Sequence, residues 1–244
     1  MFKSRTLIAF LCLAAALLAA CTLSKDQITI TGSGNLVTQE QSFTGFDKVS
    51  AGYSFQLDIR QGDTYRVVTR VDDNIAEYLK VEKDGKTLKI GLDPEYSYNI
   101  REATMEAELT MPELTGLDLS GSSDATVTGF ASTKAFHADL SGSSTLRGDI
   151  EAGDASFDLS GSSDVTLTGS GGDVKIDASG SSVIDLSDFP VIDADVEVSG
   201  SSRVTVNASG RLGAEASGGS HVFYLGSPML GKIDTSGSSS VERK

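Results

Sequence analysis

Seven times in its second half the chain writes Ser-Gly-Ser-Ser, once as Ser-Gly-Gly-Ser, at intervals of 18 to 21 residues. The copies begin at Ser120, Ser141, Ser160, Ser179, Ser199, Ser217 and Ser236. A fixed period near 20 marks a stacked repeat, in which each unit buries its apolar face against the next. That period decides the fold class before any single residue is considered. It also implies a protein that displays a surface.

Aligning the copies on the turn exposes a period of two. One residue before it stand Leu119, Leu140, Leu159, Ala178, Val198, Ala216 and Thr235, and three before it Leu117, Ala138, Phe157, Ile176, Val196, Ala214 and Ile233. Between them, in every copy, stands an acid: Asp118, Asp139, Asp158, Asp177, Glu197, Glu215 and Asp234. This alternation predicts a strand with one buried and one wet face. The second residue past the turn is again apolar in every copy: Ala125, Leu146, Val165, Ile184, Val204, Val222 and Val241. Each repeat therefore reads as strand, tight corner, strand and a looser bend of variable length. Glycine supplies the positive φ of a sharp corner. The small hydroxyls around it can bond to backbone left unpaired there and to the serine one coil above. The expected fold is all-β, a right-handed parallel β-helix, right-handed coiling being the default for strand crossovers. Seven coils at about 4.8 Å would span roughly 34 Å.

Residues 28–114 are rich in alternating segments but lack the repeat. Tyr53 to Ile59, Tyr65 to Val71, Thr87 to Leu92 and Thr104 to Met111 all alternate. Asp84-Gly85 is a hairpin signal, and Asp72-Asp73-Asn74 can cap a short helix over Ile75 to Leu79. We read this half as irregular early coils plus a cap, because a bare end coil exposes strand edges. A separate N-terminal β-domain is the alternative.

The start of the chain is an address. Lys3 and Arg5 precede an apolar stretch from Leu7 to Ala20, too short for a comfortable membrane span. Leu18-Ala19-Ala20-Cys21 resembles the lipobox of bacterial lipoprotein signal peptides. The resemblance implies that residues 1–20 are cleaved and that Cys21 is lipidated, with residues 21–27 as lipidated terminus and spacer. Three acyl chains would hold firmly, since each buried CH₂ contributes about 0.8 kcal/mol. Thr22 after the cysteine suggests the outer membrane. Cys12 would be lost with the leader, leaving no disulfide framework and no cysteine metal site. Removing residues 1–20, which hold Lys3 and Arg5 and no acid, takes the net charge from −14 to −16. That charge argues against nucleic acid and against lying flat on anionic lipid.

Gly32-Ser33-Gly34-Asn35-Leu36, Phe43 to Val49, Asp73-Asn74 with Tyr78-Leu79, Met111-Pro112-Glu113-Leu114 and the serial Ser-Gly-Ser-Ser turns together resemble the bacterial "head GIN" auto-transporter adhesin family. The likeness runs from about Ile28 to Lys244. It implies a pectin-lyase-like β-helix and a role in cell-surface adhesion, and it carries no catalytic residues.

The residues themselves offer no catalytic site. No Gly-x-Ser of the repeat is completed by a second glycine two residues on, so none is a nucleophile elbow. His137 and His221 are the only histidines; they do not share a column. Thr126-Val127-Thr128 and Thr166-Leu167-Thr168 form no continuous threonine face, and Arg147-Gly148-Asp149 reads as a chance tripeptide. No cofactor is expected. The acidic column could form a weak divalent-cation stripe, although a flat ladder does not wrap the six to eight oxygens Ca²⁺ takes. The expectation is a non-enzymatic, lipid-anchored binding or adhesion module of the bacterial envelope, with a surface glycan or protein as ligand. Two alternatives remain: a carbohydrate-active β-helix enzyme, and an envelope scaffold that self-associates into homo-oligomers through its C-terminal coil.

Overall fold

The computed structural model describes residues 27–244. The leader, Cys21 and nearly all of the spacer lie outside the described residues. Period-two alternation becomes strand throughout. The strands are β1 (Gln27–Thr31), β2 (Leu36–Gln41), β3 (Lys48–Ala51), β4 (Gln56–Gln61), β5 (Arg66–Asp72), β6 (Leu79–Asp84), β7 (Thr87–Leu92), β8 (Ser97–Arg101) and β9 (Met105–Met111). The repeats supply β10 (Gly116–Leu119), β11 (Asp124–Ala131), β12 (Phe136–Leu140), β13 (Thr145–Glu151), β14 (Ala155–Leu159), β15 (Asp164–Ser170), β16 (Val174–Ala178) and β17 (Val183–Val191). They continue through β18 (Ala194–Val198), β19 (Arg203–Ala208), β20 (Arg211–Ala216), β21 (His221–Gly226), β22 (Met229–Thr235) and β23 (Ser240–Arg243).

Each repeat gives one strand to each of two facing sheets. The first sheet has the order β22-β20-β18-β16-β14-β12-β10-β3-β7-β6, the second β2-β5-β9-β4-β11-β13-β15-β17-β19-β21-β23. All pairings from β10 onward are parallel and join one coil to the next. This is a β-solenoid of stacked parallel coils, the β-helix expected from the period. The variable second bend is absorbed by register shifts between Val127 and Phe130 and between Asp185 and Pro190.

The core is a set of columns. Leu117, Ala138, Phe157, Ile176, Val196 and Ala214 are buried in one register line, with Phe136 set edge-on to Phe157 at 6.3 Å. Ala138 sits between Leu117 and Phe157, and from Phe157 the line tapers through Ile176 and Val196 to Ala214, so the interior is close-packed by side chains of changing size.

The corners are built more tightly than positive φ alone demands. Their glycines have φ between 73° and 78°. A Cβ on Gly161 would also lie 2.4 Å from the carbonyl oxygen of Gly142 one coil away, and one on Gly180 2.3 Å from that of Gly161. Glycine is needed here for close backbone approach as well as for conformation. The coils are joined through the corner by backbone bonds, such as Ser162 N–H to Gly142 O at 2.8 Å. The fourth serine is buried in the first six corners. Its hydroxyl donates back to the carbonyl of the corner's first serine at 2.8–3.0 Å in six of the seven. The expected serine-to-serine bonds between coils are thus replaced by bonds within each turn. Across coils, Ser202 accepts Ser182 N–H at 3.3 Å, while Ser220 and Ser239 also donate to Val198 O at 3.3 Å and Ala216 O at 2.8 Å.

Toward the N-terminus, β3 and β4 run parallel to β10 and β11 and continue the same two sheets. Antiparallel pairs follow: β6 with β7, and β5 with both β2 and β9. The β6–β7 hairpin turns at Asp84-Gly85 as expected. Two local expectations fail. Residues 73–78 form hydrogen-bonded turns rather than a helix, with Ile75 N–H on Asp72 O and Tyr78 N–H on Ile75 O. The segment is too short to repay helix nucleation before β6 begins. The Tyr53–Ile59 alternation becomes strand only from Gln56, because Tyr53 and Ser54 take positive φ at a corner. Asp72 ties this end together: buried, it accepts Gly34 N–H at 2.6 Å and Thr104 N–H at 2.7 Å.

Candidate functional site

The outward face of the first sheet carries its chemistry in columns. Parallel in-register pairing aligns Asp118, Asp139, Asp158, Asp177, Glu197, Glu215 and Asp234, all exposed. The acidic column read from the sequence is therefore a physical ladder. Two residues earlier in each strand, Lys48, Gly116, His137, Ser156, Lys175, Asp195 and Gly213 form a second, mixed column.

Sequence reasoning missed a third line. Asp154, Asp173 and Asp193 close the looser bends of successive coils. Asp173 N–H donates to Asp154 Oδ1 at 3.0 Å, Asp193 N–H to Asp173 Oδ1 at 3.2 Å, and Arg211 N–H to Asp193 Oδ1 at 2.7 Å. Each carboxylate satisfies the backbone of the next coil with one oxygen. The signal was present: an aspartate stands six residues before the corner in three consecutive repeats. The variable lengths of these bends concealed it.

Together the mixed column and the aspartate line border an open groove of about 700 Å³, reaching from Lys48 and Thr115 to Arg211 and Gly213. Ser156 and Gly213 keep its floor low. Its cations stand out in an acidic chain. Arg66, Arg70, Lys86, Lys89 and Lys134 are ion-paired nearer the cap. No ion pair involves Lys48, Lys175 or Arg211 among the described residues.

Electrostatics differ along the acidic ladder. At the cap end, partial shielding from water and then the Asp139 charge hold Asp118 above the ordinary carboxylate range. At the far end Lys232 bridges Glu215 and Asp234, and those contacts raise its pKa. No three His, Cys, Asp or Glu side chains converge to hold a metal among the described residues. Strand stacking spreads the carboxylates in a line instead of wrapping them round a point.

The histidines lie on different sheets. His137 Nδ1 is 2.8 Å from Ser156 Oγ, and its Nε2 is 3.8 Å from Asp158. His221 Nδ1 is 2.9 Å from Ser240 Oγ. The first cluster has the composition of a nucleophilic triad. Its His–Asp distance exceeds a hydrogen bond, and the surrounding strand N–H groups are committed to the next coil. The Arg147-Gly148-Asp149 tripeptide is architectural: Asp149 accepts Gly129 N–H at 2.8 Å.

A family model described as "Putative auto-transporter adhesin, head GIN domain" matches residues 45–228. The chain belongs to this head GIN family. No curated protein matches it significantly. Among solved structures, the head GIN chain is similar to a "putative adhesin" from Bacteroides fragilis, with TM-score 0.81, 20% identity and coverage of 88% of this chain and 100% of the other. A "putative lipid binding protein" from Parabacteroides distasonis gives TM-score 0.69 at 21% identity, covering 89% and 100%. A "putative adhesin" from Parabacteroides merdae gives 0.65 at 15%, covering 88% and 99%. At these identities the likeness is one of fold: this chain and those structures share the stacked solenoid.

Proposed function

We propose that this head GIN chain is a non-enzymatic adhesion module of the bacterial envelope, anchored through lipidated Cys21 and binding by the grooved face of its first sheet. The groove carries the reading: Lys48, Lys175 and Arg211 stand unpaired among Asp154, Asp173 and Asp193, a polar surface suited to an extended ligand. Family membership supports an adhesin-like role at the cell envelope. Physical chemistry argues against catalysis. An acyl-transfer site needs spare N–H donors aimed at a developing oxyanion, and along stacked strands the backbone donors are spent on neighbouring coils. The ladder carboxylates face water in a row, without the paired environments that split acid from base.

Two experiments test this reading. Replacing Cys21→Ser should abolish incorporation of an alkyne-tagged fatty acid and release the protein from the membrane fraction; labelling that persists would contradict the anchor. A glycan and protein array probed with the mature chain should show binding without product release, weakened by the pair Lys175→Ala and Arg211→Ala. Turnover of any bound glycan would favour the enzyme instead. Self-association has one observation in its favour: Met229 and Leu230 are 76% and 50% exposed on β22, whose only neighbour in the sheet is β20. Light scattering of wild type and Met229→Glu decides it.

A further inference from the structure

The corner of the first coil departs from the rule the other seven obey. Ala51 pairs with Leu119 and Gln56 with Asp124, so Gly52-Tyr53-Ser54-Phe55 occupies the place of Ser120-Gly121-Ser122-Ser123. Every later corner has glycine at the left-handed position. Here that position holds Tyr53, with φ 64°, followed by Ser54 with φ 82°. A left-handed conformation is disfavoured for any residue with a Cβ. Such strain persists only where the surroundings impose it, and it concentrates at functional sites.

What the strain achieves is to place an aromatic ring. Tyr53 is 38% exposed and meets Tyr98 edge-on at 5.6 Å. Tyr98 in turn packs against Tyr78 and Tyr96 at 5.7 and 6.3 Å. Four of the chain's six tyrosines are thus gathered at one place. Gly91 lies against the Tyr53 ring, at ordinary contact distance. The Tyr98 hydroxyl is buried without a hydrogen-bond partner among the described residues, and burial pushes its pKa up to about 12. Beside the cluster opens a cleft of about 630 Å³, bordered by Tyr53, Lys80, Glu82, Lys89, Asp93 and Glu95. Its lysines are engaged, Lys80 with Asp93 at 3.3 Å and Lys89 with Asp84 at 2.8 Å. Glu82 and Glu95 remain as acceptors.

We propose that the Tyr53 cleft is a binding site for an uncharged oligosaccharide, whose ring stacks on Tyr53 while its hydroxyls donate to Glu82 and Glu95. An aromatic face with a few convergent polar groups is the chemistry of a small-ligand site. The C–H face of a pyranose fits the ring, and its hydroxyls fit carboxylate acceptors. Rim carboxylates and a net charge of −14 disfavour anionic glycans and anionic lipid. The site lies apart from the groove of the first sheet and depends on neither the groove nor the anchor.

The chain has no tryptophan, so tyrosine emission reports the site directly. The full-length protein is titrated with neutral hexasaccharides of glucose, mannose, galactose and N-acetylglucosamine, followed by tyrosine fluorescence and saturation-transfer NMR. At least one should bind. Tyr53→Gly should melt at or above the wild-type temperature and bind at least about tenfold more weakly, whereas Tyr53→Phe should keep its affinity. Should Tyr53→Gly melt lower, the rim variant Glu82→Gln with Glu95→Gln decides: weakened binding at unchanged melting supports the site, and wild-type affinity overturns it. No binding by the wild type, or wild-type affinity in Tyr53→Gly, also overturns it. Lys175→Ala with Arg211→Ala should leave this binding intact, which separates failure of this site from failure of the groove.

Discussion

Gly161 and Gly129 show how much one residue type can mean in two ways. Both have positive φ, 76° and 78°. A Cβ on Gly161 would strike the Gly142 carbonyl oxygen at 2.4 Å, whereas one on Gly129 would meet nothing within 4 Å. Alanine at Gly129 should therefore cost only the left-handed penalty, about 1–2 kcal/mol. Alanine at Gly161 adds a collision with the backbone of the neighbouring coil, and should cost at least about twice as much. Urea denaturation of both variants measures the difference; equal losses would show that the corners are not closely stacked. Phe157, fully buried beside Phe136, sets the comparable scale for the interior. Truncating it to alanine should cost about 3–5 kcal/mol.

At the scale of the strand, the ladder on β10 through β22 stacks like charges in register, and Asp118 shows the consequence. Its folded pKa lies above the ordinary value, through shielding and then Asp139. Between the ordinary carboxylate pKa and the raised one, the folded state binds more protons than the unfolded state, so stability falls as pH rises through that window. Asp118→Asn removes the charge and should raise the melting temperature at pH 7. The gain should close as pH falls through the carboxylate range. A gain that persists at pH 3 would point to a cause other than charge. This ladder was legible because its acids keep a constant offset from the corner. The aspartate line at Asp154, Asp173 and Asp193 keeps a constant offset too, but over only three repeats and inside bends of changing length, where no alternation marks it. Tyr53 was hidden for a further reason: in a run of alternating residues it looks like strand, and only the pairing of β3 with β10 and β4 with β11 reveals the corner.

For the molecule as a whole, the fold was readable because a repeat states its geometry many times over, and one consistent period outweighs ambiguity in any single strand. The N-terminal half states each element once. Its hairpin was found, yet the pairing of β1 with β8 across the chain had no local signal. Ligand chemistry lies deeper still, in contacts between columns that no single repeat contains. The claim on which all of this depends is the register of the coils. Nitroxide pairs replacing exposed ladder acids measure it by pulsed electron resonance. Label attachment points at positions 118 and 197, four coils apart, should lie about 19 Å apart, and those at 118 and 234, six coils apart, about 29 Å. Distances that rise in this proportion support the stacked ladder; distances that do not grow with the number of intervening repeats would contradict it.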